Sequence, residues 1–242
     1  MAQNIYDNAT FFERYSQLPR SVEGLAGAPE WPSLRALLPE LRGSKVLDLG
    51  CGFGWFCRWA LEQGAQYVVG IDVSHRMLAR AQAETFDSAI SYVEADLEHF
   101  AAPAKPFDLV YSSLTLHYLE NLEGLLAAIQ KALVPGGRFV FSVEHPIFTA
   151  PSNPAWSTNA SGQATWPVEG YLDEGTRSTN WLANGVIKQH RTVSTYVNLL
   201  IRAGFQILHL DEWGPSNEQV AARPEWGKER QRPPFLLMSC SR

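Results

Sequence analysis

Apolar positions along this chain recur in two alternating rhythms. Short runs at Val46 to Leu49, Tyr67 to Asp72, Ile90 to Ala95, Phe107 to Ser113, Arg138 to Val143, Phe205 to Leu210 and Phe235 to Ser239 have the length and apolar content of buried strands. Between them apolar residues return every three or four positions, as on one face of a helix. This holds from Trp55 to Leu61, from Met77 and Leu78 onwards, at Leu122, Leu125, Leu126, Ile129 and Leu133, and at Val193, Tyr196, Val197, Leu200 and Ile201. Ser74 and Thr192 stand where N-caps belong, and Gly64 and Gly204 where helices stop. Strands alternating with helices predict an α/β protein with a doubly wound, Rossmann-like sheet.

Two segments depart from that alternation. Residues 1–45 predict a helical cap, with Phe11, Phe12, Tyr15 and Leu18 spaced behind an Asn8 cap, and Leu34, Leu37, Leu38 and Leu41 following Pro32. Residues 146–190 interleave Pro146, Pro151, Pro154 and Pro167 with Trp156, Trp166, Tyr171 and Trp181. A connection this long is usually functional or disordered, and so many aromatics argue against disorder. We expect an insertion packed over the ligand edge of the sheet. A single domain is therefore expected, with a cap at 1–45, a ligand-binding core at 46–145, the insertion at 146–190, and a C-terminal helix and strands at 191–242. Within the last part, Glu212 to Arg232 is polar and reads as a second loop near the pocket.

The first strand runs through Asp48 into Gly50-Cys51-Gly52-Phe53-Gly54 and then a helix. Strand, glycine turn and helix open a nucleotide-binding unit. A dinucleotide site asks for Gly-x-Gly-x-x-Gly. Gly50 and Gly52 fit, but Trp55 takes the third place, and Asp48 ahead of the turn would repel a pyrophosphate. A cationic ligand without phosphate suits an acid beside a glycine turn. Asp48-Leu-Gly-Cys-Gly-Phe-Gly54 resembles motif I of the class I S-adenosylmethionine-dependent methyltransferases, in particular the small-molecule subgroup of ubiquinone and menaquinone methyltransferases. Leu133-Val-Pro-Gly-Gly137 before the fifth strand is similar to that family as well.

The resemblance implies a seven-stranded sheet, mostly parallel with an antiparallel edge strand, and S-adenosyl-L-methionine as cofactor. Asp48, Gly50 and Gly52 would form the turn around it. Asp72, 22 residues after Gly50, would accept hydrogen bonds from both ribose hydroxyls, for which two carboxylate oxygens are suited. Met77 would lie against the adenine, Asp96 would take its exocyclic amine and the Leu97 N–H a ring nitrogen. Ser112 and Ser113, with Leu114, would meet the methionine end. Nucleobase and glutamine methyltransferases carry an Asn/Asp-Pro-Pro-Tyr/Phe motif there. This chain has Ser112-Ser113-Leu114-Thr115, which speaks against such acceptors.

Methyl transfer from a sulfonium is an in-line displacement whose electrophile arrives activated, so alignment and exclusion of water are the main tasks. A phenol or alcohol acceptor also needs a base. His145, leaving the fifth strand, and His117, after the fourth, have the right ordinary pKa. Tyr15 is the third catalytic candidate. Glu144 and Arg20 are placed to assist.

Composition narrows the field. A formal net charge of -5 argues against a large phosphate-binding face, so nucleic acid is an improbable partner. Cys51, Cys57 and Cys240 show no metal-binding spacing, so no metal is expected, and a reducing cytoplasm is the simple compartment. No long apolar run suggests a membrane span, and Met1 to Thr10 has no secretory pattern. The expected partner is a small-molecule methyl acceptor, with a homodimer an open option. The alternatives are a catalytically silent cofactor-binding subunit and a methyltransferase of RNA or protein. A nicotinamide enzyme is disfavoured by Trp55.

Overall fold

The computed structural model describes residues 3–242. Five parallel strands form its centre: β1 (Lys45–Leu49), β2 (Tyr67–Asp72), β3 (Ile90–Glu94), β4 (Phe107–Ser113) and β5 (Leu133–Glu144). A hairpin, β6 (Gly175–Trp181) and β7 (Ala183–His190), stands apart from the sheet. The last strands, β8 (Gln206–Trp213) and β9 (Phe235–Ser241), complete seven in the order β8-β9-β5-β4-β1-β2-β3. The antiparallel pairing falls at one edge, where β9 runs antiparallel both to β5 and to the outermost β8.

Helices cover both faces. On one side lie α2 (Trp31–Ala36), α3 (Trp55–Glu62) and α4 (His75–Ala83), and on the other α5 (Leu122–Ala132) and α6 (Val193–Arg202), while α1 (Ala9–Ser16) belongs to the N-terminal cap. Successive strand residues point to opposite faces, so a doubly covered sheet needs apolar residues at nearly every position. The strands obey this. Val46, Val68, Leu109 and Val140 pack with Leu34, Phe56, Ala60 and Leu78. Leu47, Leu49, Val110, Phe139 and Phe141 pack with Leu125, Ile129, Tyr196 and Leu200.

The expected caps are present. Asn8, Ser74 and Thr192 accept from the backbone N–H groups of Phe11, Met77 and Thr195. Some boundaries differ. β5 begins at Leu133, because Leu133 pairs with Phe107 and Gly136 N–H donates to the Arg242 carbonyl, which draws the expected Pro-Gly-Gly turn into the ladder. The stretch read as a polar loop holds a short helix, Asn217–Ala222, closed by a capping box on Ser216, and a 3-10 stretch, Pro224–Gln231.

The insertion and the cap join. The Gln3 side chain donates to the Gly185 carbonyl and accepts from Ile187 N–H, both at 2.9 Å. Arg14 Nη1 donates to the Leu182 carbonyl at 2.7 Å, and Trp181 meets Phe11 edge-on with ring centroids 5.5 Å apart. A roof of two chain-distant pieces thus lies over the carboxyl ends of the strands. No helix among the described residues is long and apolar enough to cross a membrane.

Candidate active site

β1 connects outward to β2 in one direction and its other neighbour is β4, so the sheet reverses between them, and ligands of open α/β sheets bind outside the carboxyl ends at such a point. A cavity of about 430 Å³ opens there, a size that suits small ligands. One end is built by the glycine turn and the ends of β2 to β4. The other is built by the cap, the end of β5 and the start of β9.

At the first end Gly50 has φ +78°, and a Cβ on it would stand 2.0 Å from Thr115 Oγ1. Gly52 has φ +51° and open space where a Cβ would be, and its N–H donates to Asp72 Oδ2 at 2.9 Å. Asp72 Oδ1 accepts from Ser74 N–H at 2.9 Å. Each oxygen keeps a lone pair for a further donor, as a vicinal diol would supply. Burial pushes the Asp72 carboxyl up, against the pull of these N–H groups. Asp96 Oδ1 accepts from Glu98 N–H, while Oδ2 is buried without a partner, an acceptor that the exocyclic amine of an adenine would satisfy. Leu97 opens a 3-10 turn, so its N–H has no partner within that turn. Met77 is fully buried against the same cavity.

Asp48 is buried and accepts from Cys57 Sγ at 3.3 Å. Burial, with the Asp72 charge adding to it, pushes its carboxyl up to about 7. Cys51 in the turn is a buried filler whose thiol burial pushes up to about 11, far from a thiolate nucleophile. Ser113 lines the cavity with Oγ 3.1 Å from Ser142 Oγ. Leu114 follows at φ +53°, a conformation costing a non-glycine residue about 1–2 kcal/mol. Its N–H donates to the Ser142 carbonyl at 2.9 Å, which holds the strained backbone at the cavity wall.

Ser112 is corrected by the structure. It is fully buried, away from the cavity, and its hydroxyl donates to the Leu49 carbonyl at 2.8 Å. Its place one residue before Ser113 on β4 turns it to the opposite face. His145 is corrected too. Its Nδ1 accepts from Ile147 N–H at 3.0 Å, capping the one-turn helix Pro146–Thr149, and its Nε2 lies 2.8 Å from Glu212 Oε1. Both ring nitrogens are engaged and the residue does not line the cavity. Replacing His145 with alanine is expected to lower stability by about 1–2 kcal/mol through the lost cap and hydrogen bond. Urea unfolding checks this, and affinity for S-adenosylhomocysteine should stay unchanged.

At the second end stand Tyr6, Tyr15, Tyr118, Phe148 and Trp181. Tyr15 packs edge-on against Tyr6, Phe53 and Trp181, with centroids 5.2, 6.0 and 6.3 Å away, and burial keeps its phenol protonated. Arg20 reaches the cavity and pairs with the buried Glu30 at 3.2 Å. His117 lines it too. Burial lowers its pKa to about 4, so the ring is neutral at pH 7. Nδ1 accepts from Glu144 N–H at 3.4 Å, and Nε2 lies 4.0 Å from Glu144 Oε2. Glu144 Oε1 pairs with the buried Lys188 at 2.6 Å, whereas Oε2 has no partner. Burial would raise this carboxyl, but the Lys188 ammonium beside it holds it below the usual range. Among the described residues no group of three or more His, Cys, Asp and Glu is placed to hold a metal.

Several residues that line the cavity or hold its roof in place escape sequence reasoning. Tyr6 and Asp7 lie in a single 3-10 turn, Ile5–Asp7. Asp7 Oδ1 accepts from Ser74 Oγ at 2.5 Å and from Arg76 N–H at 3.1 Å, which latches the cap onto the start of α4. Glu30, Phe148 and Arg232 carry no local motif. Trp181 had only its place in an aromatic-rich insertion to recommend it.

The profile of the family described as "Methyltransferase domain" matches residues 47–141. A crystal structure of an S-adenosylmethionine-dependent methyltransferase from Mesorhizobium loti is 56% identical, with a TM-score of 0.88, covering 90% of this chain and 100% of that one. A putative S-adenosylmethionine-dependent methyltransferase from Listeria monocytogenes is 40% identical, with a TM-score of 0.81, covering 89% and 98%. A malonyl-[acyl-carrier protein] O-methyltransferase of Enterobacter lignolyticus is 36% identical over 110 residues, 46% of this chain and 43% of that enzyme. Two acids at the carboxyl edge beside an open glycine turn fit S-adenosyl-L-methionine, and on that geometry and these likenesses the chain belongs to the class I S-adenosylmethionine-dependent methyltransferases.

Proposed function

We propose that the protein methylates a small molecule held in the aromatic end of the cavity. The carrying observation is that one partly open space of about 430 Å³ is lined both by the glycine turn with Asp72 and Asp96 and by Tyr6, Tyr15, Tyr118 and Trp181 under the joined cap and hairpin. Such a roof leaves a protein or RNA acceptor little access. The quinone-type subgroup is kept as one member of this wider class, whereas the malonyl-[acyl-carrier protein] relative is named for an acceptor carried on a protein, and its likeness spans less than half of either chain.

The residues divide the work. Asp72 would hold the ribose, Asp96 and Leu97 the adenine edge, Met77 its face, and Asp48, Gly50, Gly52 and the Ser113–Leu114 backbone the amino-acid end. When bound, the cofactor supplies an activated methyl group. Tyr15, neutral and walled by aromatics, would position the acceptor and exclude water. His117 is better placed to orient Glu144 than to take a proton, because Nδ1 already accepts from backbone. Glu144 Oε2 is the ionised oxygen left free to take a proton from a hydroxyl acceptor. Three buried free cysteines suit a reducing compartment, and the cytoplasm is proposed on that ground.

The test is incubation with S-adenosylmethionine labelled in the methyl group and a desalted cell extract separated into small-molecule, protein and RNA fractions. Label in the small-molecule fraction is expected. Label in protein or RNA overturns the reading, and intact cofactor binding with no labelled product points to a silent subunit instead.

A further inference from the structure

Arg232 is an arginine only 5% exposed that lines the acceptor end of the cavity. Its guanidinium carbon lies 3.9 Å from the ring centroid of Trp166, 4.7 Å from Phe148 and 5.3 Å from Trp156. Three aromatic rings thus cluster against the guanidinium, a cation–π setting. Nη2 is ion-paired with Glu229 Oε2 at 2.9 Å. The Nε and Nη1 donors are buried with no partner. A buried donor left unmatched is costly, and more so on a charged group. Glu229 balances the charge, and two donors are left for a further acceptor.

We propose that Arg232 binds a carboxylate on the methyl acceptor, so that the substrate is a monoanionic acid with an apolar body. This rests on the reading of the aromatic chamber as the acceptor site. A planar carboxylate matches the N–H geometry of a guanidinium and gains charge-assisted hydrogen bonds there. Glu144 and Glu229 line the same end, and their charges favour one negative charge over the two of a phosphate. Phe148, Trp181 and Phe235 line the same cavity and would favour an apolar body for the molecule. Arg20 pairs with Glu30 and Lys188 with Glu144, and neither has a buried donor left without a partner as Arg232 has.

The experiment loads the full-length protein with S-adenosylhomocysteine and measures thermal shifts with phenylacetate, 4-hydroxybenzoate and octanoate, with the primary amide of each, and with benzylphosphonate. The strongest binder is then titrated calorimetrically against wild type, Arg232→Gln and Arg232→Lys. At least one acid is expected to stabilise the loaded protein while its amide does not. Its affinity should fall about 10- to 100-fold in Arg232→Gln, the loss of one or two charge-assisted hydrogen bonds, and by less in Arg232→Lys. Acids and amides acting equally, no acid acting, an unchanged affinity in Arg232→Gln, or a preference for the phosphonate would each overturn the proposal. The shift given by S-adenosylhomocysteine alone reports on the cofactor site separately, and its persistence in Arg232→Gln shows that the variant is folded.

Discussion

Replacing Asp72 with alanine is expected to weaken S-adenosylhomocysteine binding by about 10²- to 10³-fold. Two contributions add. In its proposed role the carboxylate would lose its hydrogen bonds to the ribose, each worth about 1.5–3 kcal/mol when one partner is charged, and every ~1.4 kcal/mol is tenfold in affinity. The second contribution is local. Asp72 Oδ2 accepts from Gly52 N–H and Oδ1 from Ser74 N–H, so the same side chain holds the glycine turn against the end of β2 and the start of α4. Asp72→Asn keeps the size but replaces one acceptor oxygen with a donor. It should fall between wild type and alanine. Calorimetric titration of the three proteins decides. A loss of less than threefold in Asp72→Ala would remove Asp72 from the cofactor site.

A second large effect is expected from pH. The Asp48 carboxyl, pushed up to about 7 by burial, is mostly protonated at pH 5 to 6. The groups around it are the thiols of Cys51 and Cys57, the carboxylate of Asp72 and the phenol of Tyr111, and none is a cation. A cofactor that brings an ammonium to this end favours the ionised form and drives the proton off on binding. Affinity for S-adenosylhomocysteine should therefore rise with pH, by up to about tenfold per unit from pH 5 to 7, and level off above. Titrations in buffers of different ionisation enthalpy would show the released proton, and Asp48→Asn should flatten the slope. Unfolding is the poorer probe. Asp48, raised above its unfolded value, binds the extra proton in the folded state and makes stability fall as pH climbs from about 4 to 7. His117, lowered to about 4 by burial, makes stability rise as pH climbs from about 4 to 6.5. The two slopes oppose each other across the same window, whereas only Asp48 is expected to respond to the cofactor amine. A flat binding profile would place the amine elsewhere.

Much of the cofactor end was readable because its signals are local. Gly50 and Gly52 adopt positive φ in a turn whose residues are adjacent in sequence. Asp72 and Asp96 sit where β2 and β3 stop, and a strand that stops at the carboxyl edge of a parallel sheet delivers its last residue to one common rim. The alternation of apolar runs dictated which strands are buried on both faces and where helices must cover them. Errors came at single-residue steps. Ser112 and Ser113 differ by one position on β4, yet one seals the sheet and the other faces the cavity. Glu144 and His145 differ by one position at the end of β5, and the pleat together with the cap of the following turn sends the carboxylate inward and the imidazole away. Composition cannot resolve such a step, because it depends on the register and twist of a strand against its neighbours.

The acceptor end is of another kind. Tyr6, Glu30, Trp181 and Arg232 come from four distant parts of the chain, and no spacing between them is characteristic. They meet because the cap latches through Asp7 to the start of α4, the β6–β7 hairpin is tied to the cap through Gln3 and Arg14, and β9 returns antiparallel beside β5 and brings Arg232 to its mouth. Local spacing is written into the chain by backbone geometry and is the same in every protein that uses the turn. Contacts across such distances exist only once burial has assembled the whole molecule, which is why the cofactor was legible along the sequence and the shape offered to its acceptor was not.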